Sequence, residues 1–208
     1  MAKSIRDQFL EDVAQHQMDI QLDQGAFRHV VFKRPNTIHQ LFSLTTTPGR
    51  LVFGGDMGCF VFERTGDMFA FFRRDIDRFD PNLGYWHEKL VAVDRRGGSM
   101  IPSVEKFREN LEQYIEQYDD LTGAEIGEVR DFIDEAVTLF QFECPYDAYV
   151  AVGNFELRDY LFFTDFFETS NDDYTIRYLW ACHAIPWGIA KYDKAKQVAE
   201  PLDAEGGA

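Results

Sequence analysis

The chain has 208 residues, 45% of them hydrophobic and 27% charged, with 20 Phe and a formal net charge of −15. This much apolar material offsets the entropy of ordering the chain, which argues against extended disorder, and a domain of this size buries roughly 70% of its unfolded surface. A net charge of this sign repels phosphates, which argues against direct binding of nucleic acid or of an anionic membrane.

The segment 4–16 places Ile5, Phe9, Leu10 and Val13 at helical spacing behind Ser4, which predicts a short amphipathic helix. Residues 18–22 and 26–33, separated by Asp23-Gln24-Gly25, read as a β-hairpin. A second hairpin is expected from 38–46 and 51–54 around Thr47-Pro48-Gly49, and a further strand at 59–63 brings the antiparallel sheet to about five strands. Segments 67–74 and 84–93 are expected as short helices around the polar, Pro-containing stretch 75–82.

From residue 103 the period changes. Val104, Phe107, Leu111, Tyr114, Ile115 and Tyr118 predict one face of a helix over 103–118, and Ile126, Val129, Phe132, Ile133, Val137 and Phe140 predict a second over 124–140. Residues 146–167 are too aromatic and irregular to assign. Residues 173–192 are apolar almost all round, which predicts a buried helix kinked near Pro186, with Ile176, Leu179, Trp180 and Trp187 in the core. The expected architecture is α+β, an antiparallel sheet in the N-terminal third packed by helices from the remaining two-thirds.

Residues 1–100 carry 13 Asp+Glu and 13 Lys+Arg, whereas residues 101–208 carry 23 and 8, so the second half holds the whole −15. No linker composition accompanies this shift, so it reads as a boundary between faces of one α+β domain over 1–196, with a disordered tail at 197–208. No run approaches the ~20 apolar residues of a membrane span. The N-terminus also lacks the apolar stretch of a secretory signal, so the expected location is cytoplasmic, with no membrane partner. Cys59, Cys144 and Cys182 are odd in number and widely separated, matching neither a disulfide framework nor a zinc site. They are expected to be reduced, mostly buried thiols.

Three constellations are candidate sites. Gly54-Gly55-Asp56-Met57-Gly58 is a turn between β-prone runs, and Asp56 is the residue there with the chemistry to accept a proton. His87-Glu88 offers a His beside a carboxylate, but the zinc-protease pattern requires His four residues after the first, and position 91 is Val91. His16, His29, His39 and His183 have no metal-ligand spacing, so no metal or cofactor is implied. The third constellation is acidic. Glu105, Glu109, Glu112 and Glu116 recur on one side of the first long helix, and Glu128, Asp131 and Glu135 share a face of the second. At 1.5 Å rise per residue one such stripe presents a carboxylate about every 5.5 Å and two adjacent stripes about every 2.8 Å, a density comparable with the ~3.4 Å phosphate spacing along one DNA strand.

The run Phe42-Ser43-Leu44-Thr45-Thr46-Thr47-Pro48-Gly49-Arg50-Leu51-Val52-Phe53-Gly54-Gly55-Asp56-Met57-Gly58, continued by Phe60-Val61-Phe62 and Asp67-Met68-Phe69-Ala70-Phe71-Phe72-Arg73, resembles a group of uncharacterised phage- and prophage-encoded proteins. Tyr85-Trp86-His87-Glu88-Lys89-Leu90 and the stretch from Tyr178-Leu179-Trp180 to Tyr192-Asp193 are similar to the same group. The resemblance carries no catalytic residue. It implies an accessory gene of a mobile element and shifts the expectation from metabolism toward host defence. The leading expectation is therefore a non-catalytic inhibitor of anti-CRISPR or anti-restriction type. Its partner would be a host protein with a basic surface, such as a nuclease or nucleic-acid-binding complex, engaged through the acidic helices as a DNA mimic. The alternatives are a small hydrolase or nucleotide-binding enzyme using Asp56 and His87, and a structural homo-oligomer joined through the aromatic segment 155–167.

Overall fold

The computed structural model describes residues 3–74, 81–95 and 97–199. In chain order they form α1 (Ile5–Asp12), β1 (Gln17–Gln24), β2 (Phe27–Lys33), β3 (Phe42–Thr47), β4 (Arg50–Gly55), β5 (Gly58–Glu63), α2 (Met68–Phe72), α3 (Leu83–His87), β6 (Leu90–Val93) and β7 (Met100–Pro102). There follow α4 (Val104–Ile115), α5 (Gly123–Phe142), α6 (Pro145–Gly153), β8 (Glu156–Leu157), β9 (Tyr160–Leu161), a 3₁₀ turn at Phe166–Glu168, β10 (Asp172–Tyr174) and α7 (Ile176–Ala199). The class is α+β. The chain divides into two compact units: unit 1 comprises Met1–Ser99 and Tyr174–Ala208, and unit 2 is Met100–Asp173. The border at Met100 coincides with the charge shift. Residues 75–80 of the polar stretch and 200–208 of the expected tail lie outside the described residues, while 197–199 belong to α7.

Unit 1 is built on a six-stranded antiparallel meander in the order β1-β2-β3-β4-β5-β6. Strict alternation in β3 and β5 turns Phe42, Leu44, Phe60 and Phe62 to one face, where register sets Phe32 opposite Phe42 and Phe53 opposite Phe60. The Phe32 and Phe42 rings stack at 4.7 Å between centroids. Such pairs add about 0.5–1.5 kcal/mol beyond burial alone. Against this row lies α7, whose residues 181–189 are buried without interruption. Trp180 meets Phe42 edge-on at 5.5 Å and Phe9 of α1 at 5.0 Å, and its indole N–H donates to Asp12 Oδ2 at 2.9 Å. A Cβ on Gly188 would lie 3.0 Å from both Leu44 Cδ1 and Phe32 Cε2, so the glycine sets how closely α7 approaches the sheet.

Two expectations for unit 1 are corrected. Residues 84–93 do not form one helix. Asn82 caps α3 by accepting from Tyr85 N, α3 ends at His87, and Leu90–Val93, with β-branched Val91 and Val93, becomes the edge strand β6. Backbone bonds from Glu63 N to Lys89 O (2.9 Å) and from Asp94 N to Cys59 O (3.0 Å) flank its pairing with β5. Ile176, expected in the core, is 64% exposed because it occupies the first turn of α7. Pro186 is accommodated inside the helix, which continues to Ala199.

Unit 2 has its own apolar core. Ser103 caps α4 by accepting from Lys106 N, and Thr122 with Glu125 forms a capping box on α5. Phe107, Leu111, Tyr114 and Ile115 of α4 pack with Val129, Ile133, Val137 and Phe140 of α5, and the Phe107 and Phe140 rings stack at 4.5 Å. The unassigned stretch 146–167 resolves into α6, the β8–β9 hairpin and the start of the 3₁₀ turn, which contribute Val152, Leu157 and Phe166 to the same core, joined by Phe162 and Phe163 from the connection after β9.

All three tryptophans, Trp86, Trp180 and Trp187, lie in unit 1, so indole fluorescence reports its unfolding alone. Trp180→Ala should cost about 3–5 kcal/mol, a large share of the ~5–15 kcal/mol that holds an ordinary domain. Gly188→Val should lose about 1–3 kcal/mol by overpacking. Denaturant melts followed by indole emission check both, and an unchanged midpoint for Gly188→Val would show that α7 does not lie tightly on Phe32 and Leu44.

Candidate functional site

The Gly54–Gly58 loop is a tight connection between β4 and β5. Gly55 has φ +154°, and a Cβ there would fall 2.1 Å from Leu41 O, so only glycine fits. The Asp56 carboxylate accepts from Gln40 N at 2.9 Å and stands 3.6 Å from His39 Nδ1. It ties the β2–β3 connection to this turn, a structural task that accounts for an acid at this position. His87 has different partners: its Nε2 is 2.9 Å from Ser99 Oγ, and its ring meets Tyr174 and Tyr178 edge-on at 5.6 and 5.7 Å. The contacts of Asp56 and His87 share no residue.

The remaining histidines also have local explanations. His16 Nε2 is 2.9 Å from Gln40 O, His29 Nδ1 is 2.7 Å from Thr45 Oγ1, and His183 is buried in α7 and stacks on Phe9. Among the described residues no group of three or more His, Cys, Asp or Glu is placed to hold a metal ion. Cys59, Cys144 and Cys182 are free. Burial raises the Cys59 thiol, with Asp94 adding to the effect, and burial likewise raises Cys182, so neither is poised as a thiolate. Also among the described residues, no helix is long and apolar enough to cross a membrane.

The acidic stripes differ in kind from these spent groups. Unit 2 carries 19 Asp+Glu and 4 Lys+Arg, net −15, which leaves unit 1 with 17 of each and no net charge. All four cations of unit 2 are engaged by its own carboxylates. Lys106 Nζ lies 3.4 Å from Asp173, Arg108 bridges α4 to Asp134 of α5 at 2.7 Å, Arg130 bridges back to Glu112 at 3.3 Å, and Arg158 holds both Asp120 and Glu125. The hydrogen bonds from Arg158, then those from the Thr122 backbone and hydroxyl, hold Glu125 well below the usual carboxylate range.

Positions 105, 109 and 116 turn away from the core face of α4, as do 128, 131 and 135 on α5. The cross-helix pairs form a seam between these two rows. Glu112, expected as a full member of its stripe, belongs to that seam, and Ser103 Oγ donates to Glu105 at 3.3 Å. Glu109, Glu116, Glu128, Asp131 and Glu135 are exposed and have no ion-pair partner among the described residues.

Sequence reasoning missed a second feature of unit 2. A cavity of about 290 Å³ opens between the end of α4 and the β8–β9 hairpin, lined in part by Tyr118, Leu121, Leu157 and Phe162. The helix expected to reach residue 118 stops at Ile115, which frees Tyr118 to form this wall. The dipeptide Arg158-Asp159 between apolar residues was the available signal. Both take left-handed φ, +56° and +64°, as a two-residue hairpin turn requires.

Asp56→Asn keeps an acceptor for Gln40 N and should shift the melting temperature by no more than a degree or two. Asp56→Leu removes the acceptor and should destabilise by about 1 kcal/mol, the usual net worth of one hydrogen bond. Equal melting of Asp56→Leu and wild type would show that this carboxylate does not hold the turn. No family model matches the chain, nor does any curated protein or solved structure.

Proposed function

We propose that the protein acts without catalysis, through unit 2, by binding a basic protein surface of the kind that otherwise holds nucleic acid. The observation that carries this reading is the separation of charge: every cation of unit 2 is engaged internally, so its surplus carboxylates face outward unanswered. Folding does not call for such a surplus, because like charges repel within a compact unit and exposed pairs contribute only ~0–1 kcal/mol each. A long-range negative field is what the surplus does supply. It raises the association rate with a positive groove and discriminates against acidic partners.

The layout supports mimicry of nucleic acid. Two carboxylate rows run along neighbouring helices and flank the Arg108–Asp134 and Glu112–Arg130 seam, much as two phosphate strands flank a groove of B-DNA. The resemblance to phage and prophage proteins directs the choice of partner to a host restriction or CRISPR nuclease, whose DNA channel has the required charge. The enzyme reading has no comparable support, since Asp56 and His87 are each occupied by local structural bonds.

The test uses a variant that removes charge without removing an ion pair: Glu109→Gln, Glu116→Gln, Glu128→Gln and Glu135→Gln together. Helix propensity changes little, so folding should survive. Capture of a nuclease from host lysate should be strong with wild type, weaken tenfold or more with the variant, fall steeply with salt, and be reversed by duplex DNA. Binding that ignores salt, DNA and the four substitutions would contradict the reading.

A further inference from the structure

The cavity beside the β8–β9 hairpin is built to be held open. Arg158, at the hairpin turn, donates from Nε to Glu125 Oε1 at 2.6 Å and from Nη1 to Asp120 Oδ2 at 2.7 Å, while Nη2 donates to Asp120 O and Glu125 Oε2. These bonds fasten the hairpin to the cap of α5, so the wall is rigid before anything binds and little ordering cost remains. Within the hollow, Leu157 and Phe162 are each 7% exposed, but Tyr160 and Leu161 at its edge are 78% and 51% exposed. Folding leaves these two apolar side chains in water beside a concavity.

The volume limits the occupant. Small-molecule pockets usually begin near ~300 Å³, whereas a cavity of ~150 Å³ suffices for a benzene ring. A space of about 290 Å³ therefore has room for one aromatic or leucine side chain. The surroundings choose the sign of what accompanies it. The Arg158 charge is answered by Asp120 and Glu125, and Asp119, Asp159 and Asp165 are exposed nearby in the chain. The Tyr118 hydroxyl donates to that of Tyr114, and this bond, burial and the charges of Asp165 and Asp120 push Tyr118 up to about 12, so it stays neutral.

We propose that this cavity is an anchor pocket that receives one aromatic or leucine side chain from a basic segment of the partner, whose flanking Lys or Arg residues meet Asp119, Asp120 and Asp165. The proposal rests on the reading of unit 2 as a surface for basic partners and adds to it the point at which binding becomes specific. Charge alone steers and orients, whereas an apolar side chain in a desolvated pocket slows dissociation.

Calorimetry on the full chain tests it with three probes: the peptide acetyl-Lys-Lys-Trp-Lys-Lys-amide, its counterpart with Ala at the centre, and N-acetyltryptophanamide. The Trp peptide should bind at least tenfold more tightly than the Ala peptide, about 1.4 kcal/mol, and far more tightly than the uncharged amide. Tyr160→Ser with Leu161→Ser changes only exposed side chains and should erase the tenfold ratio while leaving the salt-dependent remainder. The four-glutamine variant should weaken both peptides alike and preserve the ratio. Should the double serine variant fail to fold, Tyr160→Ser alone serves and should reduce the ratio. Equal affinity for the two peptides, or no binding of either, overturns the anchor; if both bind equally and salt-dependently, the charge reading stands without it. A ratio unchanged by Tyr160→Ser also overturns the proposal. Binding of N-acetyltryptophanamide as tight as the Trp peptide would mark a site for a small aromatic molecule instead.

Discussion

A helical stretch that is apolar around its whole circumference must be covered on every side, and residues 181–189 of α7 impose that constraint on unit 1. The sheet supplies one wall through Phe32, Phe42, Phe53 and Phe60, and α1 and α2 pack against the helix as well. Polar groups enter only where they are satisfied: the Trp180 indole finds Asp12, and the Tyr192 hydroxyl donates to Asp23 at 2.7 Å. Arg28, nearly buried, pairs with Asp67 at 2.9 Å and lies over the Phe69 ring at 4.8 Å. Burial pushes the Asp67 carboxyl up, but the bonds from Arg28 and from the first amides of α2 outweigh it and hold the group below its usual value. Its stabilising contribution is therefore present above the ordinary carboxylate value and is lost as pH falls through the lowered one.

Unit 2 meets a different constraint, because it folds while carrying all the net charge. Its core mixes aliphatic and aromatic side chains, and its four cations act as staples: two between α4 and α5, one from α4 to Asp173, and one from the hairpin to the α5 cap. None is left to neutralise the outer rows. The electrostatic cost is tolerated rather than relieved, and that makes the rows a candidate for function. The anchor cavity follows from the same economy, since Arg158 fixes one wall while spending its charge on Asp120 and Glu125.

How far the sequence could be read depended on whether its signals were local. Alternation in residues 42–63 and the heptad-like spacing of 104–115 and 126–140 carry their own period, so β3 to β5, α4 and α5 were legible within a few residues. Leu90–Val93 was misread because its strand character depends on pairing with β5, which no local pattern reveals. Residues 146–167 resisted assignment because their aromatics serve α6, a two-residue hairpin and a 3₁₀ turn in quick succession. The acidic stripes were legible, but the capture of Glu112 by Arg130 across 18 residues was not. The border of unit 2 was visible as a charge shift yet lacked the linker composition that would have marked it, because the chain returns to unit 1 at Tyr174.

Carboxylate footprinting tests the central claim most directly. The full chain is labelled with carbodiimide and glycine ethyl ester, alone and in complex with the proposed basic partner, and each modified residue is quantified by mass spectrometry. The account predicts protection of Glu109, Glu116, Glu128, Asp131 and Glu135, all in unit 2, with the exposed acids of unit 1, such as Asp56 and Glu88, labelled as before. Protection confined to unit 1, with the carboxylates of α4 and α5 modified equally in both states, would contradict it.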